Sequence, residues 1–318
     1  MSLPPSEMPL GAIRFNSDSQ KLEYWIGDVW MQIHTFLPNL DGGVRGIFSG
    51  GRSRDVIEFI TIETAGNGTD FGDSNINHEG AAVSSRTRYC GTATVGYSNV
   101  INFVTFSSTG DSQDFGDLTT KRRSFNGCSN QTRGLFMGGI TPSSPTSNVI
   151  EHITIATQGN SVEYGDLVTN SANCSGNAGN SIRGLCLGGT PSTSGSGQFV
   201  TIPTLGNSFT FGDLRSSQGN RGATSNSIRA VHSHEGNLDF VTIATLGDSI
   251  NFGDYLNDAA YKCAVSSKTR GVWGGGSPGI NVLGYINLAT QGDAVDFGDL
   301  SATHFVHVGS SNGHGGLG

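Results

Sequence analysis

Short stretches in which apolar and polar residues alternate recur along the chain, separated by segments rich in glycine, serine and asparagine. This pattern predicts β-strands joined by tight turns, because successive side chains of a strand point to opposite faces. In one stretch Val100, Val104 and Phe106 point to one face, while Ile101 and Phe103 point to the other. Apolar residues on both faces indicate a strand packed between neighbouring layers.

A Phe/Tyr-Gly-Asp triplet occurs six times, with successive aromatic residues 41 to 49 positions apart. The triplet aspartates are Asp73, Asp117, Asp166, Asp213, Asp254 and Asp299. An alternating segment of the Ile-Thr-Ile type precedes each triplet, and its last residue always lies nine positions before the aromatic residue. A Gly-Asn or Gly-Asp pair in that gap predicts a tight hairpin, because such turns need residues that tolerate positive φ.

A second landmark is an arginine that begins a strand, in its best-preserved form Arg-Gly-apolar-x-x-Gly-Gly. The landmark arginines are Arg45, Arg88, Arg133, Arg183, Arg229 and Arg270. A segment of small residues, such as Ala81-Ala82-Val83, lies between each triplet and the next arginine. Each repeat of about 45 residues thus offers four strands: the first is the Arg-Gly strand, the second the Ile-Thr-Ile strand, the third the triplet strand and the fourth the small-residue strand. Four strands per repeat are typical of propeller blades.

The sequence therefore predicts an all-β protein, a six-bladed β-propeller with a short N-terminal β-strand docking arm. Residues 1–41 would form the arm and linker, and residues 42–318 the propeller. The approximate repeats are 42–85, 86–130, 131–180, 181–226, 227–267 and 268–312. A closed ring leaves no exposed sheet edge. The alternative, an open solenoid of six coils, needs capping segments at its ends.

Charge and composition narrow the expected partners. The chain has 18 Lys+Arg against 26 Asp+Glu, and it lacks the basic stripe that phosphate backbones require, so we expect no nucleic acid partner. It also lacks an apolar run of about 18 residues and a basic, apolar leader, so we expect neither membrane insertion nor a secretory signal. The five cysteines show no CxxC spacing, which favours small buried residues over a disulfide framework.

Residues that recur once per repeat are predicted to be architectural. Each triplet aspartate precedes the next landmark arginine by 15 to 17 positions, and a closed ring would bring Asp299 to Arg45. We predict a structural ring of Asp–Arg contacts, or contacts of each residue type to backbone groups, that fixes the spacing of the blades. No catalytic residue, metal or cofactor is predicted. Two alternatives stay open: calcium held by the Gly-Asn-x-x-Asp-Phe-Gly-Asp oxygens, and a carboxylate pair for glycoside cleavage drawn from distant blades.

Loop length varies on one side of the repeats. The stretch from the landmark arginine to the end of the Ile-Thr-Ile segment spans 14 to 22 residues, whereas the hairpin after it is constant. Variable loops on a rigid scaffold are common binding sites, although loops also tolerate drift. The candidate receptor-binding residues lie in the two longest loops and are Thr141, Ser143, Ser144, Thr146, Thr190, Ser192, Thr193 and Ser194.

The N-terminal arm is predicted to form three short strands, over Ala12–Asn16, Lys21–Trp25 and Val29–Ile33. About 30 residues bury too little apolar surface to be stable alone. We therefore expect the arm to dock on another chain or to form a trimer with its own copies; covering one end of the propeller is the alternative. The expected docking residues are Phe15, Tyr24, Trp25 and Trp30.

Over residues 42–312 the glycine pairs and four-strand repeats resemble kelch-like propellers. The motif Asn-Val-Ile-x-x-Ile-Thr-Ile-Ala-Thr-x-Gly-Asn, clearest in residues 148–167, resembles repeat proteins of tailed bacteriophages, notably those of cyanobacteria and marine bacteria. The arm, with Gly-Ala-Ile-Arg-Phe-Asn-Ser-Asp, is similar to small modules of phage tail-fibre proteins. Repeats four and five depart from the pattern, with Pro203 in place of alanine and Ala230-Val231-His232 in place of the glycine-rich strand.

The resemblance implies a non-enzymatic virion structural protein: a tail-fibre, baseplate or decoration component assembled in the host cytoplasm. Its arm would bind other virion proteins, and its variable loops would recognise a glycan or protein of the host surface. Two alternatives from other classes remain, a polysaccharide-degrading propeller enzyme and a cellular kelch-like interaction module. Shared architecture does not decide between them.

Overall fold

The structure, a computed structural model, divides the chain into two compact units, Met1–Leu40 and Asp41–Gly318. It describes residues 9–16, 21–32, 44–51, 54–75, 77–93, 97–172, 177–190, 195–216, 219, 222–304 and 308–318. In the first unit β1 (Ile13–Asn16), β2 (Lys21–Trp25) and β3 (Trp30–Gln32) form an antiparallel sheet in that order, the N-terminal sheet. These strands match the three predicted for the arm.

The second unit consists of small antiparallel sheets, numbered here 1 to 6. Sheet 1 contains β4 (Arg45–Ser49), β5 (Val56–Thr61) and β6 (Thr69–Asp73); sheet 2 contains β7 (His78–Ser84), β8 (Arg88–Ala93), β9 (Ser98–Thr105) and β10 (Gln113–Arg122). Sheet 3 contains β11 (Asn126–Ser129), β12 (Arg133–Met137), β13 (Ser147–Thr154) and β14 (Val162–Ser171); sheet 4 contains β15 (Arg183–Leu187), β16 (Ser196–Thr201) and β17 (Phe209–Asp213).

Sheet 5 contains β18 (Gly222–Ser225), β19 (Arg229–His234), β20 (Asn237–Thr242) and β21 (Ile250–Asp254). Sheet 6 contains β22 (Cys263–Ser266), β23 (Arg270–Gly274), β24 (Ile280–Asn287) and β25 (Val295–His304). The last strand, β26 (Val308–Ser311), pairs with β4 and so completes sheet 1. A 3₁₀ helix, Gly315–Leu317, follows it. All-β architecture, as predicted, is confirmed.

The sheets are offset by one strand from the sequence repeats. Each small-residue strand pairs with the Arg-Gly strand that follows it in the chain, as β7 does with β8 and β22 with β23. The approximate repeat boundaries therefore fall inside sheets instead of between them. In sheet 4 the expected fourth strand is represented, within the described residues, by a single bridge between Gly179 and Gly184.

Main-chain hydrogen bonds join the six sheets in a closed cyclic order. At each junction between neighbouring sheets, or seam, the amide of a hairpin glycine donates to the carbonyl of the triplet aromatic residue in the preceding sheet, at 2.7 to 3.2 Å. The donor and acceptor pairs are Gly110 and Phe71, Gly159 and Phe115, Gly206 and Tyr164, Gly247 and Phe211, Gly292 and Phe252, and Gly66 and Phe297. The last pair links sheet 6 back to sheet 1, so the same contact recurs without a break.

The aromatic residue and the glycine of the triplet have separate structural roles. The aromatic ring is buried and packs edge-on against an aromatic side chain of the second strand, as Phe115 does with Phe103 at 6.0 Å between centroids. At Gly116 φ is +145°, and an added Cβ would lie 2.5 Å from the carbonyl oxygen of Gly159 in the next sheet. The absence of a side chain there is what lets the two backbones approach.

The small-residue strands of neighbouring sheets contact one another through serine residues. Buried serines end β7, β11, β18, β22 and β26, and the hydroxyl of each donates to the carbonyl of the equivalent residue in the neighbouring sheet. The hydroxyl-to-carbonyl pairs are Ser129 to Ser84, Ser225 to Gly179, Ser266 to Ser225, Ser311 to Ser266 and Ser84 to Ser311. At the remaining step His314 contacts the Ser129 hydroxyl at 3.2 Å, and the 3₁₀ helix packs on β11 and β18.

Alanine substitutions at two glycines of one seam distinguish the cost of backbone strain from the cost of disturbing the inter-sheet contact. Gly159→Ala places Cβ in open space, although its φ of +151° costs about 1 to 3 kcal/mol. Gly116→Ala carries comparable strain at φ +145° and also meets the Gly159 carbonyl, which adds about 1 to 3 kcal/mol for overpacking. Urea unfolding should therefore show a lower midpoint for Gly116→Ala; equal midpoints would contradict the close approach.

Candidate functional site

The landmark arginines all lie at the seams between sheets. The guanidinium Nη1 of each donates to main-chain carbonyls in the turn that follows the second strand of another sheet. Arg183, for example, donates to Ile243 O and Ala244 O, both at 2.9 Å. Its guanidinium carbon also lies 4.7 Å from the centre of the Phe199 ring, so a cation–π contact accompanies the hydrogen bonds.

The arginine contacts also follow a cyclic order, from each sheet to the next one. Their carbonyl acceptors are Phe106 for Arg45, Ala156 for Arg88, Pro203 for Arg133, Ala244 for Arg183, Ala289 for Arg229 and Glu63 for Arg270. Arg45, at the start of β4, thus reaches the sheet that contains β9, whereas Arg88 reaches the turn after β13. Each arginine therefore reaches the next sheet of the cycle, and Arg270 reaches sheet 1.

Arg45 of sheet 1 bonds to sheet 2, and Arg270 of sheet 6 bonds to sheet 1. Six arginine contacts therefore span the six seams, and each arginine donates to the following sheet, whereas each hairpin glycine amide donates to the preceding one.

The triplet aspartates join the seams through their backbone. The amide of each donates to a side-chain oxygen of the Gly-Asn or Gly-Asp pair in the next sheet, as Asp117 N does to Asn160 Oδ1 at 3.0 Å. The other five pairs are Asp73 and Asp111, Asp166 and Asn207, Asp213 and Asp248, Asp254 and Asp293, and Asp299 and Asn67. The asparagine or aspartate of the pair, read from sequence as a turn former, is thus also a seam residue.

Of the two forms predicted for the structural ring, the arginines match contacts to backbone groups, whereas each aspartate takes part through its own amide, which bonds to a side-chain oxygen. In the part of the chain that the structure describes, no ion pair joins a triplet aspartate to a landmark arginine. Arginine and aspartate act at the same seams but have separate partners. Backbone carbonyls and amides are present at every repeat whatever the side chains, so these contacts tolerate sequence drift elsewhere.

A further set of seam residues was missed in the sequence. The residue just before the second-strand aromatic is buried and polar in five sheets: Glu58, Asn102, Glu151, Gln198 and Asp239. Each bonds to the segment after the triplet of the preceding sheet, as Gln198 does with Thr169 N and O at 3.1 and 3.0 Å. In sheet 6 the position is Gly284, and the Tyr255 hydroxyl accepts its amide at 3.0 Å. A polar residue at one fixed position of an apolar strand was the available signal.

Three of these buried residues are charged and have charged or ionisable partners. Glu151 pairs with Arg122 at 3.0 Å, and Glu58 bonds His304 at 2.8 Å. Burial alone would raise the pKa of Glu58, but hydrogen bonds from His304 and Ser301 outweigh it and lower the pKa below its usual value. Breaking such a buried pair costs more than the pair itself contributes, because one charge is left without a partner.

The other candidate chemistry is confined to buried groups. Within the described ranges, no group of three or more His, Cys, Asp or Glu side chains is placed to hold a metal ion. Cys90, Cys128, Cys186 and Cys263 are buried in strands, and burial raises the pKa of Cys90 to about 12. Burial also lowers the pKa of His78 to about 4. Among the described helices, none is long and apolar enough to cross a membrane.

The first candidate receptor-binding loop is held by its own hydroxyl groups. Thr141 and Ser144 form a backbone bridge, and the Thr141 hydroxyl accepts from Ser144 N at 3.0 Å. Ser143 is exposed, and Thr146 is half-buried. In the second loop Thr190 is exposed and bridges Ala172, whereas Ser192, Thr193 and Ser194 lie outside the described residues.

The N-terminal sheet has two chemically different faces. Its strand register places five exposed apolar side chains together on one face: Ile13, Phe15, Leu22, Tyr24 and Met31. Ile26 and Val29, in the turn between β2 and β3, are also exposed. On the other face Arg14 pairs with Glu23 at 2.8 Å and lies 4.2 Å from the Trp30 ring, which packs on Trp25. The four predicted docking residues therefore divide, with Phe15 and Tyr24 on the apolar face and Trp25 and Trp30 on the polar one.

Substitutions at one arginine and one aspartate separate the two forms of the structural ring. Arg183→Ala removes two charge-assisted hydrogen bonds, and we expect it to lower the free energy of unfolding by about 1 to 3 kcal/mol. Asp166→Asn keeps the backbone amide bond to Asn207, so its effect should stay within about 0.5 kcal/mol. Thermal and urea unfolding measure both. A loss for Asp166→Asn equal to that for Arg183→Ala would restore the ion-pair form.

Comparison with known proteins gives no match: no protein-family model matches the chain, and neither does any curated protein. The resemblance to kelch-like and bacteriophage repeats therefore stays a prediction. The arguments for function come from the seams, the loops and the apolar face of the N-terminal sheet.

Proposed function

We propose that residues 41–318 form a six-bladed β-propeller that serves as a non-enzymatic structural and binding module. We further propose that the N-terminal sheet attaches this module to other proteins of a bacteriophage virion, as a tail-fibre, baseplate or decoration component. Assembly would take place in the host cytoplasm. The observation that carries the attachment is the wholly apolar, exposed face of the N-terminal sheet.

Support for the propeller comes from the cyclic repetition of three contacts. The hairpin amide bonds, the arginine bonds and the backbone bonds of the triplet aspartates each recur at all six seams, including the one between sheets 6 and 1. Pairing of β26 with β4 adds an antiparallel sheet built from both ends of the unit. An open solenoid has two terminal coils with unlike environments, and it gives no reason for this sixth seam.

Support for a scaffold comes from where the repeated residues act. Residues present once per sheet bond to backbone groups or to other buried residues, which is what architecture requires. The loops between first and second strands differ in length, so one side of the scaffold presents diverse surfaces. Recognition of a host-surface glycan or protein by Thr141, Ser143, Ser144, Thr146 and Thr190 is part of the proposal.

Support for attachment comes from the size and composition of the N-terminal sheet. Phe15 is 63 % exposed and Ile13 is 65 % exposed, and three strands alone bury too little apolar surface to be stable. Contact with a partner removes this surface from water at about 25 cal/mol per Å². The virion itself is inferred from the resemblance of the repeats and the arm to phage proteins.

Incorporation into particles tests the proposal. Phages carrying the full chain with Phe15→Ser and Leu22→Ser should yield purified particles depleted of the protein, because the apolar face is lost. Asp28→Ser, an exposed turn residue of the same unit, is the matched control and should leave incorporation unchanged. Mass spectrometry of the particles gives the readout. Absence of the wild-type chain from particles, or normal incorporation of the double variant, would refute attachment through this face.

A further inference from the structure

Departures from the repeat pattern cluster at one seam. In a repeat protein, positions occupied alike in every copy serve the shared fold, so unlike residues that meet in space are candidates for a separate role. Three polar residues that no other repeat carries at the same position meet beside the hairpin joining β24 and β25: Glu63, Tyr285 and Asn287. They come from sheets 1 and 6, more than 200 positions apart in sequence.

The other repeats show what each position holds by default. In place of Glu63 they carry Ser107, Ala156, Pro203, Ala244 and Ala289. In place of Tyr285 they carry Phe59, Phe103, His152, Phe199 and Phe240. In place of Asn287 they carry Thr61, Thr105, Thr154, Thr201 and Thr242. The seam between sheets 6 and 1 thus gains a carboxylate, a phenol and an amide.

These residues line a cleft of about 530 Å³. Small-molecule sites typically occupy roughly 300 to 1,000 Å³, so the cleft at the sheet 6–sheet 1 seam falls in that range. The residues that break the repeat pattern are part of its lining.

Neighbouring residues hold the cleft in shape. The Thr269 hydroxyl lies 3.1 Å from both carboxylate oxygens of Glu63, which ties sheet 1 to sheet 6 across the cleft. Arg270 donates to Glu63 O at 2.9 Å, and its guanidinium lies 4.7 Å from the Tyr285 ring centre. Ala289 N donates to Asn287 Oδ1 at 2.9 Å and so holds the amide. Polar groups held in this way are preorganised for a ligand.

The lining chemistry selects a class of ligand. Glu63, Asn287 and Gln291 supply hydrogen-bonding atoms at an exposed surface, and Val295, 54 % exposed, adds an apolar wall. The Gln291 Nε2 donates to Asn251 O at 2.7 Å, so Gln291 offers its oxygen. Hydroxyl groups match such donors and acceptors, and C–H faces match the valine. Asp293 adds a second carboxylate, while the Nη1 of Arg270 is committed to backbone carbonyls. This charge balance disfavours an anionic ligand.

We propose that the cleft between sheets 6 and 1 binds an uncharged saccharide. It lies at the hairpin end of the strands, opposite the loops between first and second strands, so it is distinct from the candidate receptor-binding residues. The site uses only residues of the second unit. It therefore stands independently of attachment through the N-terminal sheet and of any place in a virion.

Exchanging the unusual residues for those of the other repeats tests the site. The full chain is probed on an array of neutral and sialylated glycans, and the strongest neutral saccharide is then titrated by calorimetry. The triple variant Glu63→Ala, Tyr285→Phe, Asn287→Thr should keep the wild-type melting temperature and bind at least about tenfold more weakly, or about 1.4 kcal/mol. Glu63→Ala alone, which leaves the Arg270–carbonyl bonds in place, should show part of the loss.

Ser107→Ala makes the corresponding exchange at the seam between sheets 1 and 2 and is the matched control; its affinity should equal that of the wild type. The proposal is overturned if no neutral saccharide binds, if sialylated glycans bind in preference, or if the folded triple variant and Glu63→Ala both bind like the wild type. None of these outcomes depends on particle incorporation, so the result is separable from the test of the proposed function.

Discussion

Close approach of two backbones at each seam is the constraint on which the second unit depends. The triplet glycine admits the next hairpin, whose glycine amide then reaches the triplet carbonyl. Every other seam contact follows from this distance: the Asn or Asp side chain bonds the triplet amide, and the landmark arginine bridges to the next turn. Small changes at the glycine therefore act on all three contacts together.

The seams combine uniform and individual parts. Backbone-directed bonds from arginine, aspartate and glycine are alike around the cycle, whereas the buried residue before the second-strand aromatic changes from Glu to Asn, Gln and Asp. Each variant has a partner suited to it, such as Arg122 for Glu151 and His304 for Glu58. Because unpaired buried charge is costly, these pairs favour each sheet beside its own neighbour and disfavour exchanged order.

Sequence reasoning reached the strands and the repeat because both rest on local signals: alternation, hairpin glycines and a fixed nine-residue interval. It did not reach the offset between repeats and sheets, since strand pairing across a loop is decided by packing between distant segments. Spacing placed aspartates and arginines at the same seams but did not show that the arginines bond to main-chain carbonyls and the aspartates act through their own amides. The cleft beside Tyr285 was missed because its residues come from the first and last repeats, which only the fold brings together.

Amide hydrogen exchange at Gly66 measures closure of the cycle most directly, because its N–H bonds to Phe297 O across the seam between sheets 6 and 1. Gly110, Gly159, Gly206, Gly247 and Gly292 provide internal references at the other five seams. A closed cycle predicts that the Gly66 amide is protected to a similar degree as these five. Rapid exchange at Gly66 alone, at the rate of an open turn, would contradict it.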